Sequence, residues 1–395
     1  MRSLRTHLRA VVFRFYGKKD DTRDRAAIVR ITSAVFIVTL ILSWRAYIHS
    51  LRIFSISPVI EIFGLAPAWF EWGLFAVTLG FLGWLVVTPL RRVPALGVLA
   101  CVLFWILQDL MRFQPYTYMY FFTIWMMVFC VRHGLEALRI MVCGVYFWAG
   151  FHKFNMTFYA RIFPWFVAPF YRYPHDQSII AGFMTLILLS VPLFEASIGI
   201  LLFFFPRQRL LASLMAFVML VVVMACLGPY GHNWAIIVWP WNIYLFLVEL
   251  VLFCKTKSAS KGWSFKPKAP VLAAIVLFVI APAYSMIGLW PSYPSFKLFS
   301  GNTKIAYVVF SPEEKLEHLP EGLGKMLLPH RRLALVDWTA HEFNVQVYPE
   351  AYVFQHGAKG LCPYLEKPQD TKLRIYQPPP FYDSQSGYTD FPLCS

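Results

Sequence analysis

The chain has 395 residues, 58% of them hydrophobic and 14% charged, with a formal net charge of +15. That is far too much apolar surface for one water-soluble core, so a soluble globular enzyme is excluded and a polytopic helical membrane protein is expected. In a soluble chain such an excess of cations would suggest nucleic acid. Here the basic residues gather in links between apolar runs, where they read as topology determinants and contacts to membrane lipids, and no nucleic-acid partner is expected.

An arm over residues 1–26 carries Arg2, Arg5, Arg9, Arg14, Lys18, Lys19, Arg23 and Arg25 and is expected in the cytoplasm. The apolar run behind it has no small-residue cleavage site, so it is expected to stay as the first span. A bundle over 27–290 follows, with nine spans predicted at 27–48, 68–88, 93–111, 116–131, 137–154, 179–205, 209–227, 234–254 and 270–290. Arg91/Arg92, Arg132 with Arg139, Arg207/Arg209 and the group Lys255, Lys257, Lys261, Lys266 and Lys268 fall in every second link. Positive residues mark the cytoplasmic side, so the other links and the C-terminus are expected outside, and Trp69, Trp72, Trp165, Trp234 and Trp290 form an outer aromatic belt. The expected location is the bacterial inner (cytoplasmic) membrane.

The link 155–178 is broken by Pro164, Pro169 and Pro174 yet is aromatic and apolar, which predicts an interfacial helix or re-entrant lid. From residue 291 to 395 charges, Pro and Gly return, and the runs Lys304–Phe310, Leu333–Trp338, Phe343–Tyr348 and Lys372–Tyr376 read as strands. The fold class is therefore an all-α polytopic membrane bundle with a small C-terminal extracytoplasmic α+β domain. Five cysteines, Cys101, Cys130, Cys143, Cys226 and Cys254, fall in spans or at their ends, where packing is their default role. Cys362 and Cys394 lie in the outer domain, where an oxidising compartment favours a disulfide between them.

The most pointed cluster is Tyr146-Phe147-Trp148-Ala149-Gly150-Phe151-His152-Lys153-Phe154-Asn155, at the outer end of the fifth span. An amine among aromatic rings is poorly solvated as a cation, which makes Lys153 a candidate base with His152 as a proton partner. Snorkelling of Lys153 to the headgroups is the plainer alternative. Asp109 and Arg112, three residues apart with Gln108 and Gln114 beside them, are expected on one helix face, as an ion pair closing the rim or as a wall binding a substrate headgroup. The turn Gly228-Pro229-Tyr230-Gly231-His232-Asn233-Trp234 is expected to set His232, a candidate proton partner, and Asn233 at the bundle mouth. Pro240 then kinks the next span near Asn242, and Asn233 and Asn242 are candidate substrate-binding residues. Glu195 is a candidate proton relay or a structural hydrogen-bond donor, and Glu249 lies nearer the inner interface. His175/Asp176 read as a solvated turn. No metal site, Walker loop or dinucleotide fingerprint is present in the sequence.

The AG-x-x-K-h pattern, Ala149, Gly150, His152, Lys153 and Phe154, resembles the end of a span in the vitamin K-dependent γ-glutamyl carboxylase family and its bacterial relatives, the HTTM proteins. The plan of nine spans with an outward C-terminus is similar too. The resemblance implies that Lys153 occupies the place of the second of two lysines, the base that deprotonates vitamin K hydroquinone, with His152 in place of the first. It implies a membrane hydroquinone as cofactor, reached laterally from the bilayer, whose oxygenation yields the strong base for carboxylation of an acceptor, and an extracytoplasmic protein or peptide as partner. A second reading, from a different class, is a non-catalytic DoxX-like subunit that docks a periplasmic redox or export protein. A transporter is the third, disfavoured by the dry inner halves of the spans.

Overall fold

Long helices that are apolar all round need lipid or protein on every side, and this chain builds its bundle from them. The computed structural model describes residues 21–170, 179–254, 268–320, 322–378 and 387–394, with 179–189 as helical backbone alone. The bundle runs α1 (Asp21–Leu42), α2 (Ala68–Val87), α3 (Arg92–Gln108), α4 (Pro115–Phe129), α5 (Gly134–Phe151), α6 (Ile179–Phe204), α7 (Arg209–Leu227), α8 (Val238–Glu249) with a π-helical turn Leu250–Cys254, and α9 (Ala269–Ile275), prolonged through Val276–Ile280 and Ala281–Tyr284. Five of these, α1, α2, α5, α7 and α9 with their adjoining turns, are long and apolar enough to cross a membrane, as an integral membrane protein requires. On α2, Val77, Trp84 and Val87 stand exposed, and on α7 so do Leu211, Leu214 and Val218.

Helix α1 includes Asp21–Arg25, so the last residues of the basic arm belong to the bundle. Residues 1–20 lie outside the described residues. Arg25 is buried, and its Nε donates to Met127 O at 2.8 Å. Arg209 Nε donates to Leu202 O at 3.0 Å and Arg139 Nε to Leu252 O at 3.2 Å. These three arginines bind carbonyls of neighbouring helices; Lys255, Lys257, Lys261 and Lys266 lie outside the described residues.

Two glycines let α5 and α6 approach until their backbones touch. A Cβ on Gly150 would lie 2.3 Å from Ala196 N, and one on Gly199 would lie 2.5 Å from Cys143 O. Small residues at helix contacts are the usual route to such packing in a membrane, where apolar burial gives no preference for protein over lipid.

At the other side of the bundle, α3 ends at Asp109, which is not helical (φ −155°, ψ 111°) and accepts from Met111 N with its side chain. Asp109 and Arg112 therefore do not share one helix, yet they form the expected ion pair, Arg112 Nε lying 3.8 Å from Asp109 Oδ2. Asp109 also pairs with Arg52 and accepts from Ser57 N at 3.0 Å. Arg112 donates to Ala46 O and Tyr47 O, each at 3.0 Å, and to Gln108, whose Nε2 reaches Glu71 Oε1 at 2.8 Å. Two guanidinium groups and two carboxylates are thus buried and bonded to one another and to backbone carbonyls and amides, with Arg52 Nε left unpartnered, and for Asp109 and Arg112 this favours the rim ion pair over the substrate wall.

The segment fixed by that knot carries the C-terminal region. Glu342 accepts from Ile53 N and Phe54 N, Gly357 O accepts from Ser55 N at 3.0 Å, and the Phe54 ring meets Trp338 edge-on at 5.1 Å. A four-stranded antiparallel sheet of β1 (Ile305–Val309), β2 (Arg332–Ala334), β3 (Lys372–Tyr376) and β4 (Tyr388–Pro392) has the order β2-β1-β3-β4. It packs with α10 (Leu335–Phe343) and α11 (Ala351–Ala358). Cys362 and Cys394 are disulfide-bonded. Two strand expectations are corrected. Most of Leu333–Trp338 is the start of α10, because Leu335, Trp338, Thr339 and Phe343 bury one helical stripe until Asn344 ends it with φ 60°. Residues 345–348 join no strand ladder, and Gln346 O and Val347 O accept instead from Gln114 Nε2 and Tyr293 Oη.

Removing one member of a buried ion pair leaves the other uncompensated. Asp109→Ala is therefore expected to cost about 3–5 kcal/mol, and the paired replacement D109L/R52M to cost less than the single one. Thermal unfolding of the detergent-solubilised chain measures both, and an equal or larger loss in the pair would contradict the assignment.

Candidate functional site

Gly150 rests on Ala196, so the next turn of α5 brings Lys153 against Glu195, the residue before that contact. Lys153 Nζ donates to Glu195 Oε2 at 2.6 Å and to Ala149 O at 3.0 Å. Both side chains are about nine-tenths buried, at 12% and 11% exposure. Lys153 is turned into the protein and does not snorkel. Just beyond it Asn155 fixes the turn: its Nδ2 donates to His152 O and Ser300 O at 2.8 Å each, and its Oδ1 accepts from Phe158 N at 2.9 Å.

The pair stands on the wall of a cavity of about 530 Å³ enclosed by α5, α6, α7, α8 and the segment 158–170. The wall is hydrocarbon apart from Lys153, Glu195, Asn242 and Tyr146, and Lys153 and Glu195 are its only charges among the described residues. Wherever the proton sits between Nζ and Oε2, the pair is neutral overall. In such a setting the Coulomb attraction holding it together is far less attenuated than in water. Asn242 is 4% exposed, and its Nδ2 has no hydrogen-bond partner. A buried amide left unpaired costs about 1–3 kcal/mol, a penalty that an acceptor oxygen in the cavity would remove.

Phe170, Phe194, Val218 and Val222 line the cavity and are also exposed on the bundle surface, so its mouth opens sideways between α6 and α7. The link read as an interfacial helix or re-entrant lid contains a π-helical turn, Phe158–Ile162, running into a short helix, Phe163–Val167, that lines the cavity. Residues 171–178, with His175 and Asp176, lie outside the described residues.

Of the residues singled out in the sequence, Lys153, Glu195 and Asn242 meet at this cavity. His152 does not: its ring stacks on Trp148 at 5.3 Å, and Nε2 is 3.5 Å from Ser285 Oγ, on the side away from the cavity. His232 stacks on Trp165 at 4.2 Å, and its Nε2 lies 2.6 Å from Trp165 O. A carbonyl can only accept, so Nε2 carries the proton and His232 latches the helix that covers the cavity. Asn233 is exposed with φ 48° and lies outside the lining. The glycine turn thus positions the cover, while Trp241 and Asn242 beyond it supply the wall. His152, His232, Asn233, Asp109 and Arg112 all lie outside the lining of this cavity, and no metal-binding cluster occurs among the described residues.

Three features escaped the sequence reading. The Lys153–Glu195 pairing was legible only as a lone cation and a lone anion, each needing a partner, in an apolar bundle. Tyr146, inside the aromatic cluster, lines the cavity and donates to Glu249 Oε2 at 2.9 Å. Lys297, 4% exposed in the segment after α9, donates to Ser285 O at 2.9 Å, and its burial pulls its pKa down to about 8 from 10.5. No protein-family model, no curated protein and no solved structure matches the chain.

Lys297 gives a pH signature with a definite sign. Its folded pKa of about 8 is below the ordinary 10.5, so the unfolded chain binds more protons between those values and stability rises with pH across that window. Lys297→Met is expected to remove this rise and to add at most ~3 kcal/mol at neutral pH. Unfolding followed from pH 7 to 10.5 checks it, and a slope common to both proteins would refute the assignment.

Proposed function

We propose that the chain is an HTTM-like integral membrane enzyme, crossing the bilayer nine times from a cytoplasmic N-terminus, that performs acid–base chemistry on a lipid-soluble hydroquinone. The observation that carries this reading is the Lys153–Glu195 pair, 2.6 Å apart, on the wall of an otherwise apolar cavity that opens sideways between two helices. The exposed Arg91, Arg92, Arg132 and Arg207 sit in links at the helix ends away from the sheet, which supports a cytoplasmic assignment for that end. The cavity's charged end and the sheet would then face the periplasm of a bacterial inner membrane.

The wall suits such a ligand. Asn242 Nδ2 offers a donor to a ring oxygen, Phe296, Phe299 and Trp241 offer ring faces, and the apolar mouth accommodates an isoprenoid tail. The volume is that of an ordinary small-molecule site. When bound, a hydroquinone supplies an acidic hydroxyl and the electrons for reaction with oxygen. Lys153 and Glu195 hold and move the proton. Nζ gives a proton to Oε2 and takes one from the ligand hydroxyl, so one N–H bond breaks as another forms. The resulting ammonium faces the ligand oxyanion across a medium of low dielectric, where their attraction is strong. Helix packing at Gly150 keeps the amine in place without reorganisation.

Purified protein supplied with a vitamin K hydroquinone in aerated buffer tests the reading. Lys153→Met is expected to slow hydroquinone consumption by about 10²–10⁴-fold, the range of a positioned acid–base group, while quinone binding and the elution volume persist. Glu195→Gln is expected to slow it and to displace the pH profile. Consumption indifferent to K153M would overturn the enzyme assignment and leave the docking role.

A further inference from the structure

Below the charged pair the cavity has a second polar level. Tyr146 lies two turns before Lys153 on α5, and Glu249 two turns after Asn242 on α8, each about 10 Å along its helix. Tyr146 lines the cavity and Glu249 does not, so the hydrogen bond from Tyr146 Oη to Glu249 Oε2, 2.9 Å long, is the carboxyl's link to it. Glu249 is fully buried, and among the described residues no cation lies within ion-pair distance. Its ionisable neighbours are Tyr146 and Cys143 on α5 and Cys254 in the π-helical turn. Beyond it Cys254 Sγ donates to Ser213 Oγ at 3.4 Å on α7, one turn from Arg209, so polar groups continue toward the arginine-bearing end of the bundle. A hydrogen bond that merely joined α5 to α8 would contribute about 1 kcal/mol and would not need an acid, the costliest group to place in a dry bundle.

We propose that Tyr146 and Glu249 form a second proton-exchange pair at the floor of the cavity, connecting it to the end of the bundle opposite the sheet. With Glu249 ionised, Tyr146 Oη takes a proton from a hydroxyl in the cavity as its own proton passes to Glu249 Oε2; the cavity O–H bond breaks and leaves an oxyanion, one O–H bond breaks and one forms at Tyr146, an O–H bond forms on Glu249, and no electron moves. Protons then enter or leave the cavity at two levels, through Lys153–Glu195 on one side and Tyr146–Glu249 on the other. The inference deepens the proposed enzymatic reading and takes the ligand hydroxyl from it, but its test needs no ligand.

Infrared difference spectra of the full-length protein in lipid nanodiscs, recorded across a pH titration and after transfer to deuterated water, read the carboxyl directly. A protonated-carboxyl band that follows pH, vanishes in E249Q and remains in E195Q is expected. In Y146F its deuterium exchange is expected to slow by about a hundredfold, the lower end of what a positioned acid–base group contributes. If E249Q is unstable, Glu249→Asp keeps the acid and is expected to shift the band. A carboxyl band that ignores pH, survives E249Q, or exchanges equally fast in Y146F would overturn the proposal. Failure of hydroquinone turnover in the presence of this band would instead count against the enzymatic reading alone.

Discussion

The site depends on the backbone contact between α5 and α6. A side chain at Gly150 or Gly199 would push the helices apart, since a Cβ at either place already meets backbone atoms of the other helix within 2.5 Å. That contact sets Lys153 against Glu195, and the pair in turn allows two ionisable groups to stand in hydrocarbon with no net charge. Separated, each would be an isolated charge in an apolar wall, far more costly than the neutral pair. Packing by the smallest residues and the presence of charge are therefore one design feature, joined at a single turn of α5.

The protein keeps its two buried charge systems in different roles. Arg52, Asp109, Arg112 and Glu71 spend their hydrogen bonds on Ala46, Tyr47, Ser57 and one another, which fixes the segment between α1 and α2 on which the C-terminal region sits. Lys153–Glu195 has fewer protein partners and borders open space, as does the unpartnered Asn242 amide. A charge knot whose carboxylates are held by guanidinium, amide and backbone donors stabilises a joint. A pair that faces a cavity has capacity left for a ligand.

The apolar helices were legible because long runs of Leu, Val, Ile and Phe bounded by basic or proline-containing links leave little choice of position, and the helices fall within a few residues of the predicted stretches. The first boundary moved because Asp21–Arg25 add a turn whose arginine finds a carbonyl on α4. In the C-terminal region, β1 and β3 alternate cleanly and were read; β4, Tyr388–Pro392, is an exposed edge strand with little apolar content and was missed. The candidate site was legible residue by residue and not as a set. Lys153, Glu195 and Asn242 stood out as polar groups in apolar runs, whereas their meeting depends on helix neighbours that one sequence does not reveal. Adjacency in the chain misled in the opposite direction: His152 immediately precedes Lys153 yet faces Ser285, because successive residues at a helix end point to different sides.

On the reading proposed above, the cavity holds a neutral, lipid-soluble molecule whose oxygen meets Asn242 and the Lys153–Glu195 pair. Mass spectrometry of lipids retained by the full-length protein after gentle detergent extraction tests it most directly. One quinone-like or phenolic isoprenoid per chain is expected, with its retention sharply reduced in Asn242→Leu. An anionic phospholipid or fatty acid held in its place, or equal retention by N242L, would contradict the account.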